Sequence, residues 1–325
     1  MSLFIVTSRD LQELSMLKRH EKWMARYGRV YKDEIEKQHR FETFKENVEF
    51  IESFNQNGTQ RYKLAVNKYA DLTTEEFKAS FMGLDTSISQ QESTATMKTS
   101  FKYDSVTEVP PSMDRRNSGS VTEIKDQGLC ACCWAFSAVA AIEGAYHIAN
   151  NELISLSEQQ LLDCNTANKG CEGAGLMTQA YDFLLENGGG ITTETNYPYQ
   201  EAQSVCSTEQ FSSSEEAVKI SGYTKVDPPS ESALLQAVAN QPISVGIAAS
   251  QEFLNYGSGI YGGSCSPRLN HAVTLIGYDT SEDGIRYWIV WGTSWGEQGY
   301  MRIARDVGVD RGHCGIARIA SFPTV

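Results

Sequence analysis

The spacing of apolar residues divides the chain into a helical first part and a mixed second part. Near the start, apolar positions recur every three or four residues over about 11–27 and about 34–54, with charged residues between them. This pattern predicts two amphipathic helices, and Gly28 after the first is typical of a helix end. A third, short helix is predicted to start at 73–77. Residues 85–108 are rich in Ser and Thr, which predicts an exposed linker open to proteolysis.

The pattern changes beyond residue 108. Helical spacing predicts three further helices, at 133–149, about 157–163 and about 176–186. After about residue 218, short runs of β-branched and aromatic residues predict strands, at 243–247, 271–276 and 286–290. A helix-rich half followed by a strand-rich half indicates an α+β fold with two packed halves. A cleft between such halves is a natural place for a site.

Charge and length narrow the class of protein. The chain has 325 residues and a net charge of −13, and residues 109–325 alone hold 12 Lys+Arg against 24 Asp+Glu. This acidic balance argues against a nucleic-acid partner. No apolar run approaches the ~18 residues of a membrane span. The apolar run at the start, Leu3 to Val6, is too short for a signal-peptide core, so we expect a truncated start rather than a cytosolic protein.

The cysteines are confined to the second part of the chain. All eight lie beyond residue 129, at 130, 132, 133, 164, 171, 206, 265 and 314. This distribution indicates a disulfide-containing module behind a cysteine-free leader, and disulfides imply the secretory pathway, with the vacuole, lysosome or cell exterior as destination. The sequon Asn57-Gly58-Thr59 predicts glycosylation and fits that compartment.

Three cysteines crowd one stretch, Gln127-Gly128-Leu129-Cys130-Ala131-Cys132-Cys133-Trp134-Ala135-Phe136-Ser137. The small and apolar residues that follow predict a buried helix with Cys133 at its N-terminus. Outward N–H groups and the helix dipole stabilise an anion there, which favours the thiolate, the nucleophilic form of cysteine. Most cysteines are inert core residues or disulfide partners, but this crowding and the nearby Gln127 make Cys133 a candidate nucleophile.

Elimination suggests a base for Cys133. His20 and His39 lie in the leader, and His147 is on the same predicted helix, about 21 Å along its axis at about 1.5 Å per residue. His313 adjoins Cys314 in a loop that a disulfide would hold. His271 opens an apolar strand in the second half, from where it can face Cys133 across a cleft. A structural or merely exposed histidine remains the alternative at this point.

Four motifs then identify a family. One side of the second helix has the order Glu36-x3-Arg40-x3-Phe44-x2-Asn47-x3-Ile51-x3-Asn55, which an ordinary solvated amphipathic helix would not require. It is followed by the Gln-Gly-x-Cys…Cys-Trp-Ala-Phe stretch, Asn270-His271-Ala272-Val273 and, from Trp291 to Glu297, Trp-Gly-Thr-Ser-Trp-Gly-Glu. From about residue 14 to 325 the chain resembles a papain-family cysteine protease zymogen of the plant cathepsin-L-like kind.

The resemblance implies a papain-like two-domain α+β fold. Residues 1–108 would be a helical inhibitory propeptide with its activation linker, and residues 109–325 the peptidase, with a helical left domain at about 109–218 and a β-barrel right domain at 219–325. It implies peptide-bond hydrolysis through an acyl-enzyme, with Cys133 as nucleophile and His271 as general base and acid. Gln127 would donate to the oxyanion beside the backbone N–H of Cys133.

The resemblance also implies the surroundings of this site. Residues carried over to the substrate cleft are Gly173, Gly175, Asn270 and Trp295, and those around an apolar pocket for the residue before the attacked one are Leu176, Met177, Gly246, Leu269, Ala272 and Ile319. The implied disulfides are Cys130–Cys171, Cys164–Cys206 and Cys265–Cys314. We expect a monomer acting on proteins and peptides, with its own propeptide and cystatin-like proteins as inhibitors, and with no metal or cofactor, nucleic acid or membrane partner.

The chain also differs from the family pattern. Lys-Asn-Ser, expected between Val290 and Trp291, is absent, and its Asn would orient the histidine ring. Ala131-Cys132 replaces Gly-Ser before the nucleophile, and Gly173-Ala174-Gly175 is one residue longer than the usual Gly-Gly. Arg115 stands for a tryptophan, and Ala65 and Tyr69 stand for Gly and Phe in the leader. Asn270 is expected to point away from His271.

Three functions follow from these features. The first is a cysteine endopeptidase synthesised as a zymogen. The second is a catalytically impaired or inactive homologue with a peptide-binding, storage or defence role, because the family Asn is missing. The third is a thiol–disulfide oxidoreductase, since Cys130-Ala-Cys-Cys133 is formally Cys-x-x-Cys. A redox motif would place its first cysteine at the helix start after a βαβ pattern, and neither feature is present.

Overall fold

The computed structural model describes residues 8–86, 101–207, 218–292 and 295–325. The leader contains helices α1 (Ser8–Tyr27), α2 (Glu34–Asn57) and α3 (Thr74–Phe81), and a short strand β1 (Tyr62–Leu64) that the sequence pattern did not predict. Local capping sets the ends of α2. The Asp33 side chain accepts the N–H of Glu36, and Gly58 ends the helix with φ of 66°, as expected for a left-handed cap. Thr73 and Glu76 cap the start of α3 reciprocally.

The polar members of the leader motif hold the segment after β1 against α2. The Asn47 side chain donates to the carbonyls of Ala70 and Leu72 at 2.9 and 3.0 Å. Trp23 donates its indole N–H to the Asn67 carbonyl at 2.8 Å, and its ring packs with Phe44. The mixed apolar and polar order along α2 therefore has a local cause, because buried carbonyls need donors.

In the described part of the helical half lie three α-helices and a short strand: α4 (Cys133–Asn150), α5 (Glu158–Cys164), α6 (Met177–Glu186) and β3 (Gly190–Ile191). The three helices confirm the prediction to within a few residues at each end. The first turns of α4 are almost completely buried because their small side chains let neighbouring elements approach closely.

The strand β2 (Met113–Asp114) comes from the start of the second part and pairs with the strand-rich half. The other described α-helices and strands are β4 (Val218–Lys219), β5 (Gly222–Lys225), α7 (Glu231–Asn240), β6 (Ile243–Ile247), α8 (Gln251–Leu254), β7 (Tyr256–Tyr261), β8 (His271–Thr280), β9 (Arg286–Trp291), β10 (Tyr300–Ala304) and β11 (Ala320–Thr324). Among the described residues the main sheet has the order β1-β7-β10-β9-β8-β6-β11-β5, with β2 beside β8. The leader thus adds its strand to the edge of this sheet. Helices α7 and α8 were not predicted.

The two halves meet where α4 packs on β8. Ser137 donates its hydroxyl to the Val273 carbonyl at 2.7 Å, and Ser244 donates to the Ser137 carbonyl at 2.7 Å. Three disulfides hold the surrounding loops, Cys130–Cys171, Cys164–Cys206 and Cys265–Cys314, the pairs that the family resemblance implies. In the described part of the chain, no helix has both the length and the apolar character to cross a membrane.

The linker prediction is wrong in its last part. Its segment 87–100 lies outside the described residues, but Phe101 is buried and its ring packs edge-on against Phe322. Tyr103 stacks on the same ring, with centroids 5.4 Å apart, and donates its hydroxyl to Gln241 at 3.1 Å. The Ser/Thr-rich composition predicted an exposed segment. The two aromatic side chains instead bury apolar area that holds the segment against the second part.

Candidate active site

The predicted nucleophile and base are the first residues of a helix and a strand that pack together. Cys133 is the first residue of α4 and His271 the first residue of β8. Since α4 packs along β8, both residues reach the same point between the halves. The Sγ atom of Cys133 lies 3.4 Å from the backbone nitrogen of Ala272, which donates to it.

The leader runs through this cleft in an extended conformation. The carbonyl of Gly83 accepts the N–H of Gly175 at 2.8 Å, and the N–H of Leu84 donates to the Asn270 carbonyl at 3.2 Å. The segment is therefore paired to both walls of the cleft. A Cβ on Gly83 would overlap the carbonyl oxygen of Ala131, so only glycine fits at this place.

Leu84 fills the predicted apolar pocket. Its side chain is 7% exposed. A Cβ placed on Gly246 would lie 2.9 Å from Leu84 Cδ2, 3.4 Å from Leu269 Cδ1 and 3.6 Å from Ile319 Cβ. These atoms converge on one volume, and the missing side chain of Gly246 makes room for Leu84. The other residues carried over to the pocket are buried, namely Leu176, Met177 and Ala272.

One carbonyl of the leader engages two of the predicted catalytic groups. The Gln127 side-chain amide donates to the carbonyl of Phe81 at 3.3 Å and to that of Cys130 at 2.8 Å. The His271 ring lies close enough to the same carbonyl for that carbonyl to raise the histidine pKa. The Phe81 carbonyl is therefore held by Gln127 and lies next to the His271 ring.

The protonation states differ from the thiolate that the sequence favoured. Burial raises the pKa of the Cys133 thiol to about 11, against the opposing effect of N–H donors from Ala272 and Gly83. Burial also lowers the pKa of His271 to about 4, partly offset by the nearby backbone of Phe81. With the leader in the cleft, both groups are therefore neutral near pH 7, because the occupied cleft excludes the water that would solvate their charges.

The far side of the His271 ring has an unsatisfied nitrogen. Among the described residues, Nδ1 is buried and has no hydrogen-bond partner. Asn270 does not serve it, because its side-chain amide exchanges two hydrogen bonds with the backbone of Ala249, at 2.9 and 3.0 Å. A cavity of about 50 Å³ lies beside the ring, between His271, Trp291, Gly292 and Trp295. By the family resemblance, the absent Asn is the residue expected to face this nitrogen.

The remaining residues of the cleft keep their places despite the sequence differences. Gly173 and Ala174 both adopt positive φ, 82° and 57°, so the extra residue forms a left-handed turn and Gly175 still pairs with the leader. Trp295 is buried against Phe253, with ring centroids 5.6 Å apart, and Phe253 meets the His271 ring at 6.1 Å. Thr293 and Ser294 of the tryptophan motif lie outside the described residues.

Two groups of site residues were missed by sequence reasoning. The leader residues Phe81, Gly83 and Leu84 form the inserted segment, and the only available signal was a glycine between bulky apolar residues just before a polar stretch. Tyr199 was also missed. Its hydroxyl donates to the Gln127 carbonyl at 2.7 Å and lies 3.2 Å from the Sγ of Cys132. Cys132 is buried, and burial raises the pKa of its thiol.

Comparisons with known proteins agree with this geometry. Models of two families match the chain, the papain family cysteine protease over residues 109–324 and the cathepsin propeptide inhibitor domain (I29) over residues 20–77. The senescence-specific cysteine protease SAG12 of Arabidopsis thaliana is 48% identical over 99% of this chain and 94% of its own length. Fruit bromelain of Ananas comosus is 44% identical over 98% of this chain and 89% of its own length.

Solved structures of precursor forms are also similar. A recombinant stem bromelain precursor has a TM-score of 0.85 at 42% identity, over 96% of this chain and 99% of that one. The proform of the Amb a 11 cysteine protease, a ragweed pollen allergen, has a TM-score of 0.87 at 36% identity, over 100% of this chain and 99% of that one.

Proposed function

The chain belongs to the papain family of cysteine proteases and is a cysteine endopeptidase with a propeptide, and from this premise we propose that Cys133 and His271 carry out its chemistry. The observation that supports this assignment best is the Phe81 carbonyl, which accepts a hydrogen bond from Gln127 and lies close to the His271 ring. A substrate carbonyl in the same place would be polarised where the sulfur can attack it.

The proposed reaction begins when the leader leaves the cleft. Water then solvates the site, the pKa of the Cys133 thiol falls, and its proton passes to His271. The thiolate attacks the substrate carbonyl carbon, and the oxyanion is held by the Gln127 side-chain N–H and the backbone N–H of Cys133. His271 returns the proton to the leaving amine, which leaves a thioester on Cys133. A water molecule, deprotonated by His271, then hydrolyses the thioester and restores the thiol.

Substrate preference is proposed to follow the Leu84 pocket. Because Leu84 lies among Gly246, Leu269 and Ile319, a bulky apolar side chain at the residue before the attacked one would fill the same volume. An arginine there would bury an unpaired charge.

Residues 1–108 are proposed to act as the removable inhibitor and residues 109–325 as the peptidase. The leader blocks the cleft through Gly83 and Leu84, so cleavage within the linker would be needed for full activity. Disulfides in the peptidase part support a secretory or vacuolar destination, and the exposed Asn57 at the end of α2 is accessible for glycosylation. Cystatin-like inhibitors would enter the same cleft, and we propose that the enzyme acts as a monomer.

Active-site labelling tests the assignment, with the neighbouring cysteine as a matched control. After removal of residues 1–108, a peptidyl epoxide should add once to the wild-type chain and to Cys132→Ser, but not to Cys133→Ser, as measured by intact mass. His271→Ala should abolish peptide hydrolysis, whereas His147→Ala should not. Labelling of Cys132 in preference to Cys133, or hydrolysis by Cys133→Ser, would disprove the proposal.

A further inference from the structure

Lys68 of the leader packs on the peptidase beside the loop that contains Gln127. Lys68 follows Asn67 in the segment that α2 holds in place, and its carbonyl accepts a hydrogen bond from Arg29 at 2.7 Å. Its ammonium forms an ion pair with the Asp126 carboxylate, and the lysine side chain is only 21% exposed. The same ammonium lies 4.9 Å from the centre of the Tyr69 ring.

One carboxylate of the peptidase binds this ammonium, and a second is held against the same loop. Asp126 directly precedes Gln127, and its Oδ1 accepts the N–H of Gly128 at 3.0 Å, while Oδ2 faces Lys68. Glu201 comes from a distant loop and accepts the N–H of Leu129 at 2.5 Å. Its negative charge also acts on Lys68 and opposes the effect of burial on the lysine pKa.

The backbone conformation lets the loop of Glu201 approach the loop of Asp126 closely. Glu201 has a positive φ of 56°, which is uncommon for a residue with a side chain. A Cβ on Gly128 would overlap the carboxylate of Glu201, so the glycine lets the two loops approach. A groove continues from Asp126 past Glu123. The Lys125 ammonium that also lines it is bound to the buried Glu143 and Glu158.

Ring contacts show on which side of the cleft this lysine lies. Leu84 occupies the pocket that precedes the attacked residue, and Phe81 lies on the other side of Gly83 along the leader. Tyr69 packs against Phe81, with centroids 4.4 Å apart, and Lys68 lies over Tyr69. Asp126 is therefore on the side away from Leu84, where the leaving-group part of a substrate would lie.

We infer that Asp126 and Glu201 form a cation-binding subsite that selects a Lys or Arg on the C-terminal side of the cleaved bond, with Lys68 of the leader as its occupant before activation. The inference rests on the proposed function for the direction of the cleft. Removal of the leader takes away the ammonium but leaves both carboxylates fixed by backbone N–H donors on the loop of Gln127. The net acidity of residues 109–325 adds a favourable long-range potential for basic chains.

Peptide binding tests the subsite independently of catalysis. The Cys133→Ser form, freed of its leader after cleavage of the full-length chain, is titrated with paired peptides that carry Lys or the uncharged norleucine at the first or second position after the bond. We expect about tenfold tighter binding of the Lys peptide at low ionic strength, and loss of most of the difference at high salt. Asp126→Asn and Glu201→Gln should each reduce the Lys-to-norleucine ratio, whereas Asp310→Asn, a change at a distant exposed carboxylate, should not.

A kinetic measurement separates this inference from the proposed function. With the Cys133-containing mature enzyme, kcat/KM for the Lys peptide should exceed that for the norleucine peptide by the same factor. Hydrolysis of both peptides at equal rates would leave the proposed function standing and overturn the subsite. A preference that survives Asp126→Asn and Glu201→Gln together would also overturn it. Absence of hydrolysis with a retained binding preference would instead contradict the proposed function alone.

Discussion

At the level of single residues, Cys133 and His271 are kept neutral by the leader. The pKa of the thiol is raised to about 11 and that of the imidazole is lowered to about 4, so proton transfer from sulfur to nitrogen is strongly unfavourable while the cleft is filled. Inhibition by the leader therefore has an electrostatic part, in addition to steric exclusion of substrate, because the same segment removes the water that a charged pair requires.

The rate at which Cys133 is alkylated should depend on pH differently in the full-length chain and in the chain without its leader, because the thiol pKa differs between them. In the full-length chain, the rate of reaction with iodoacetamide is expected to rise up to about pH 10 without a plateau, because only about 10⁻⁴ of the thiol is ionised at pH 7. After removal of the leader, the profile should reach its plateau at a lower pH. Peptide mapping would assign the label, with Cys133→Ser as the control. Superimposable profiles for the two forms would show that the leader does not suppress the thiolate.

The two residues proposed to react, Cys133 and His271, could be singled out from the sequence for different reasons. Cys133 stands out because a helix starts at a dense group of cysteines, and His271 because the other histidines are on unsuitable elements. Their protonation states could not be predicted, since burial of Cys133 depends on Gly83 and Phe81, about 50 residues away in the chain. Contacts of that range depend on packing between elements, which local patterns do not encode.

At the level of elements, the end of β9 determines how His271 is supported. Trp291 is the last residue of this strand and is paired with Thr274 and Tyr300, so the sheet pairing extends to the tryptophan itself. The family resemblance implies that the three residues expected before this tryptophan would carry an amide towards Nδ1 of His271. Their absence leaves that nitrogen with no partner among the described residues.

Restoring the missing residues should increase turnover. Insertion of Lys-Asn-Ser between Val290 and Trp291 is expected to raise kcat/KM about 100-fold, or about 2.7 kcal/mol at about 1.36 kcal/mol per decade. The gain should be smaller than in a Ser-His-Asp triad, because a Cys–His pair in an open cleft is more readily ionised. Insertion of Lys-Ala-Ser is the matched control, since it restores length without the amide. Equal activity of both insertions would show that the amide is not what the site lacks.

A second prediction at this level concerns the extended segment after α3, which blocks access to Cys133. Gly83→Ala should raise the rate at which a peptidyl epoxide labels Cys133 in the full-length chain by at least about tenfold, because a methyl group would overlap the Ala131 carbonyl and push the leader out of the cleft. Gly28→Ala is the control, since it strains the end of α1 away from the cleft. A similar effect of both substitutions would indicate general loosening of the leader.

Helices with a clear period of apolar residues could be predicted from the sequence. Short elements that depend on pairing or capping by neighbouring residues could not. Helices α1, α2 and α4 follow from apolar spacing and from end signals such as Gly28. Strand β1 has only three residues and exists because β7 pairs with it. Helix α8 is a single turn, capped by the Ser250 side chain, and is too short to show a period.

At the level of the whole molecule, leader and peptidase form one assembly that should respond to acid. His271 has a pKa of about 4 in the closed chain and about 6.5 when exposed. The closed state thus binds fewer protons, so its stability is fully present above about pH 6.5 and is lost progressively as the pH falls towards 4. The difference corresponds to at most about 3 kcal/mol.

Amide exchange would measure this loss. In full-length Cys133→Ser, protection of the N–H groups of Leu84 and Gly175 should fall between pH 6.5 and 4, after correction for intrinsic exchange rates. His271→Gln should remove this part of the pH dependence, because glutamine does not titrate. Unchanged protection of the His271-containing chain across this range would exclude the histidine as the responsive group.

Removal of the leader also changes which strand forms the edge of the main sheet. While the leader is present, β7 lies between β1 and β10, and the Ile260 N–H donates to the Arg61 carbonyl at 3.0 Å. Removal of the leader turns β7 into an edge strand whose free backbone groups could template β-aggregation with another chain. The exposed stretch is short, and Gly257 and Gly259 deprive it of side chains for cross-strand packing. The same glycines that admit the leader's strand should therefore disfavour pairing of this edge with another chain after activation.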